Sequence, residues 1–63
     1  MDDLILELLN AAPDRTLSPS DLEQQVAEAT GYRADTFIVR DSYWRLIAQK
    51  RVDFTPMRDS RAT

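Results

Sequence analysis

Asp35-Thr-Phe-Ile-Val-Arg-Asp-Ser-Tyr-Trp-Arg-Leu-Ile-Ala-Gln-Lys-Arg51, followed by Val52-Asp-Phe-Thr-Pro-Met-Arg-Asp-Ser-Arg-Ala62, is the stretch whose reading decides the fold. With successive residues placed about 100° apart, Val39, Tyr43, Leu46 and Ile47 fall in one compact stripe. The spacing predicts a helix over 36–50, capped by Asp35 or Thr36. Ile38, Asp41, Ser42, Arg45 and Gln49 fall on or near the opposite side, and Phe37, Arg40 and Trp44 on a flank. The apolar arc is wide enough that the pattern does not decide which edge faces solvent. After it, Val52-Asp53-Phe54-Thr55 alternates inward and outward as an edge strand does. Pro56-Met57-Arg58-Asp59 is turn-like, with Pro at the second position and Asp tolerant of unusual backbone angles. Ser60-Arg61-Ala62 is then a weak return strand, completing a hairpin over about 52–62.

Upstream, Leu4, Ile5, Leu8, Leu9 and Ala12 make one broad helical face, so a first helix is expected over about 2–12. Asp2 and Asp3 sit where carboxylates favour the positive end of the helix dipole. Leu6 lies off that face, either as a lone exposed leucine or as a dimer contact. Pro13 stops the helix, because the residue before proline is pushed out of the helical region. Arg15-Thr16-Leu17 fits a very short strand, which must pair with the later hairpin to survive. Ser18-Pro19-Ser20-Asp21 is the clearest local signal: Ser18 suits the cap, Pro19 the first helical position and Asp21 the third. The second helix then runs over about 19–30, with Leu22, Val26 and Ala29 inward. Gly31, the only glycine, is placed to end it in the left-handed conformation, and Tyr32 to pack back on the helix end. Tyr32 to Ala34 is a tight connection.

Sixty-three residues make one domain, 1–63, and a chain this short hides only ~60% of its unfolded surface. With no Cys and no His, neither a disulfide nor an ordinary zinc site can staple it. Stability must come from an apolar core or a partner chain. No run approaches the ~20 apolar residues of a membrane span, and Met-Asp-Asp is not the basic start of a signal peptide. A soluble, cytoplasmic protein without a membrane partner is expected. The net charge of −3 is unevenly spread. Residues 1–32 carry seven acidic side chains against Arg15, whereas residues 33–63 carry seven basic side chains against four acidic ones. That division fits an anion-binding face on an acidic body, or two halves that attract one another across the fold.

The order is helix, short strand, helix, turn, helix, hairpin. With Leu17-Ser-Pro-Ser-Asp-Leu22, and with Val39-Arg-Asp-Ser-Tyr-Trp-Arg-Leu-Ile47 before Val-Asp-Phe-Thr55, it resembles a small winged helix-turn-helix domain over nearly the whole chain. The fold class implied is mainly α with a small β hairpin. Two features depart from the pattern: the connection between the second and third helices is long for a simple helix-turn-helix, and the wing is short. In that family the third helix enters the DNA major groove and the wing touches the backbone or the minor groove. By position, the resemblance makes Arg40 and Arg45 the candidate base or phosphate contacts, with Ser42 and Gln49 assisting. It makes Arg58 and Arg61 wing contacts and Arg33 a backbone contact. The function implied is a DNA-binding transcriptional regulator acting as a homodimer, since one such copy makes few phosphate contacts.

Each residue also has a plainer role. An Asp41–Arg45 pair would sit at helical i, i+4 spacing and would put a carboxylate where phosphate should dock. Trp44 and Phe37 fit a core more readily than a base-stacking site or an anchor in a partner's pocket. Met57 either wedges into a groove, or is an exposed turn residue, or folds back on Phe54. The alternative function is a protein-interaction module on the same scaffold without DNA binding. Catalysis is not expected: there is no His, no Cys, no Gly-rich phosphate loop and no general base beside a serine. Asp14, Asp21, Asp2 and Asp3 are turn or helix-start residues rather than metal ligands, and no cofactor is expected.

Overall fold

The computed structural model describes residues 1–33 and 35–63. In chain order it has α1 (Asp2–Ala11), a 3-10 turn (Pro13–Arg15), β1 (Thr16–Leu17), α2 (Pro19–Ala29), α3 (Thr36–Ala48), β2 (Val52–Phe54) and β3 (Ser60–Ala62). The architecture is mainly helical, with three helices and one three-stranded antiparallel sheet in the order β1-β3-β2 among the described residues. The expected connection over 32–34 ends on Ala34, which lies outside the described residues.

Helix ends follow local chemistry. The Ser18 hydroxyl accepts the Asp21 amide at 3.1 Å, and Pro19 fills the first helical position. Asp35, rather than Thr36, caps α3, with its carboxylate accepting the Phe37 amide at 2.8 Å. Gly31 ends α2 at φ 64°, where a Cβ would be strained, with the Tyr32 amide reaching back to the Ala27 carbonyl at 2.7 Å. The α3 terminus repeats this geometry with a different residue: Lys50 takes φ 61° and the Arg51 amide returns to the Leu46 carbonyl at 2.9 Å. α1 and α3 stop at Ala11 and Ala48, slightly short of the sequence expectation, because Ala12 turns extended before Pro13 and Lys50 turns left-handed.

The sheet is held by β3, which pairs Leu17 with Ser60 on one side and Val52 with Ala62 on the other. Residues directly opposite in an antiparallel pair share a face. Leu17, Val52, Ser60 and Ala62 therefore form the inner face and Arg61 the outer one, as their burial records. Phe54 also lies opposite Ser60, yet it is exposed, contrary to its expected inward role. It sits on the edge strand at the margin of the core and meets the α3 aromatics instead. In the hairpin turn the left-handed residue is Arg58 at φ 64°, not Asp59. Thr55 closes that turn by accepting the Arg58 amide on its carbonyl and the Asp59 amide on its hydroxyl.

Ile5 and Leu9 of α1 are fully buried among Leu17, Leu22, Val26, Leu46, Val52 and Ala62. Leu6 is half-buried against this core, not an isolated surface leucine. α1 packs on α2, α3, β1 and β3 alike, whereas α2 and α3 make little direct contact with one another. α1 is thus the central brace, and the candidate site lies between α2 and α3.

Candidate functional site

α3 turns Val39, Tyr43, Leu46 and Ile47 inward, as their stripe predicts, and Ser42 with them. Ser42 is 3% exposed, so it lies inside the domain and away from any docked duplex. At 100° per residue it falls about 60° from Val39 around the helix, within the buried arc rather than opposite it. Arg45 pairs with Asp2 of α1 at 2.9 and 3.2 Å, not with Asp41. The Asp2 carboxyl is held below its usual value, first by the Ser42 hydroxyl and then by the Arg45 guanidinium.

The other predicted contacts come from several different elements. Arg40 lies five residues from Arg45, about 140° around the helix, and lines the gap between α2 and α3. Gln49 is the exposed C-cap of α3. Arg33 is exposed in the connection before α3, and Arg58 is exposed in the hairpin turn. Arg61 is exposed on the outer sheet face, in register with Thr16 and Asp53, beside a shallow depression that Arg15 also lines. Among the described residues Arg45–Asp2 is the single salt bridge, so Arg33, Arg40, Arg58 and Arg61 have no described carboxylate within pairing distance.

What the fold does gather is apolar. Between α2 and α3 lies an open groove of about 590 Å³. Leu22 and Val26 line it from α2, Val39 and Tyr43 from α3, and Trp44 and Phe54 also contribute. Tyr43, Trp44 and Phe54 form a cluster with ring centroids 5.7 to 6.4 Å apart, Trp44 standing edge-on to both neighbours. Such pairs contribute roughly 0.5–1.5 kcal/mol beyond burial. The Tyr43 and Ser60 hydroxyls hydrogen-bond one another, tying the cluster to the sheet. Two charges flank the groove: Glu23 on α2 and Arg40 on α3.

Contrary to the core role expected of them, Phe37 and Trp44 are 73% and 56% exposed, and Ile38 is 56% exposed. Tyr32 is also exposed, extending along α2 to place its hydroxyl 3.4 Å from the Gln24 amide nitrogen instead of sealing the helix end. Met57 is exposed at the turn and does not fold back into the core. The contribution of α2 to the groove has no local signature, because Leu22 and Val26 read only as core. The α3 side carries a signal: Phe37, Arg40 and Trp44 recur at i, i+3 and i+7, a second helical stripe beside the core stripe. Among the described residues no three acidic, His or Cys side chains cluster as a metal site would require, and no helix is long and apolar enough to cross a membrane. Comparison with known proteins finds no matching family model, and no curated protein or solved structure similar to the chain.

Proposed function

We propose that the chain is a protein-interaction module on a winged-helix scaffold, with the outward face of α3 and the α2–α3 groove as its contact surface. The order α1, β1, α2, α3 and the β2–β3 hairpin supports the scaffold. One observation carries the function: α3 presents the exposed aromatics Phe37 and Trp44 about 20° apart around the helix, and Trp44 lines an apolar groove. Exposed apolar surface of this kind marks contact sites, and aromatics at such sites act as anchors. A DNA-reading helix needs cations there; of the two exposed arginines of this one, Arg45 is engaged by Asp2, and Asp41 is exposed beside Arg40.

A second proposal, binding of double-stranded DNA, is favoured by the guanidiniums of Arg33, Arg40, Arg58 and Arg61, which no described carboxylate neutralises. One experiment separates the two. Tagged wild-type chain and Phe37→Ser/Trp44→Ser chain are used to recover partners from the native cell, and both are titrated with mixed-sequence duplex at low salt. A stoichiometric protein held by the wild type and lost by the folded variant, without saturable DNA binding, is the expected result. Saturable DNA binding that weakens in Arg40→Ala, with no protein recovered, would overturn it.

A further inference from the structure

We infer that the occupant of the α2–α3 groove is a second copy of this chain, docked about a two-fold axis. This rests on the groove being a protein-contact surface, and it names the partner. A matching occupant must bring an apolar anchor, a carboxylate for Arg40 and a cation for Glu23. The chain carries all three at the same surface. Trp44 is half-exposed at the groove, Glu23 lines the α2 wall and Arg40 the α3 wall.

A two-fold interface sets each patch against itself, so that residue i meets j and j meets i. Rotation about an axis through the groove sets the α3 wall of one copy over the α2 wall of the other. Each Arg40 then faces the partner's Glu23, twice over, and each Trp44 enters the opposite groove. Neither Glu23 nor Arg40 has a salt-bridge partner within its own chain among the described residues. A standard interface takes roughly 800 Å² from each partner. That is roughly a fifth of the 4515 Å² this chain exposes.

The test is sedimentation equilibrium of the full chain from about 1 µM to about 1 mM, bracketing the affinities expected of a small interface. The mass is expected to rise from 7.2 kDa to twice that value. Arg40→Glu alone and Glu23→Arg alone should each weaken the dimer by about tenfold or more, since both set like charges together in both contacts. An equimolar mixture of the two single variants should restore it. In the mixed dimer the carboxylate introduced in one chain faces the guanidinium introduced in the other, and the unaltered Glu23 of the first faces the unaltered Arg40 of the second. Restoration on mixing also excludes misfolding as the cause of the loss.

A mass of 7.2 kDa throughout overturns the inference, as does a dimer that neither reversal weakens or that mixing does not restore. These results are distinguishable from failure of the contact surface itself. A monomeric chain that still recovers a different protein through Phe37 and Trp44 loses the second copy and keeps the surface. A monomeric chain that recovers none and binds duplex loses both.

Discussion

Lys50 closes α3 in the left-handed conformation that glycine adopts without strain, while Gly31 does the same work at the end of α2. The lysine Cβ makes that conformation costly, so Lys50→Gly should stabilise the fold by about 0.5–1 kcal/mol in urea denaturation. Ser18 is the opposite case. Its hydroxyl satisfies the Asp21 amide, and Ser18→Ala should cost about 1 kcal/mol in the same measurement. Asp2 gives the molecule a pH response. Its carboxyl titrates below the ordinary value of 3.8, which means the folded state favours the ionised form. Its contribution is therefore full above that value and is lost as the pH falls below it. In Asp2→Asn the acid limb of the stability profile should flatten, measured by thermal melts from neutral pH downward.

α3 shows what sequence periodicity resolves in an element and what it leaves open. The core stripe through Val39, Tyr43, Leu46 and Ile47 is legible because its four members fall within about 100° of the helix circumference. The flank through Phe37 and Trp44 reads as more core, since aromatics at helical spacing are usually buried. It is exposed because α2 makes little contact with α3, a tertiary fact that no local pattern records. Ser42 escapes the pattern for the converse reason: a small polar residue fits the close approach of α1, where Asp2 meets its hydroxyl. The caps, by contrast, are readable from single residues at fixed offsets. The two kinds of apolar residue in α3 should separate in stability measurements. Leu46→Ala, emptying a fully buried position, should cost about 3 kcal/mol. Phe37→Ser, at a mostly exposed position, should change folding by less than about 0.5 kcal/mol while disrupting contact with a partner.

At the scale of the whole molecule, the charge division between the halves is not used up internally. One salt bridge, from α1 to α3, joins them among the described residues, and Arg33, Arg40, Arg58 and Arg61 stay unpaired. The radius of gyration, 10.6 Å, is that of a fully compacted chain of this length. The groove is therefore a feature of the folded shape and not a sign of loose packing. Among the described residues eight apolar side chains form the buried core while six large ones remain exposed, Phe37 and Trp44 among them on the face proposed for protein contact. The measurement that tests this most directly is photo-crosslinking in the native cell, with benzoylphenylalanine in place of Phe37. A covalent adduct to protein, either a second copy or another chain, is the predicted result. Adducts to nucleic acid alone, or none at all, would contradict the assignment of this face to protein contact.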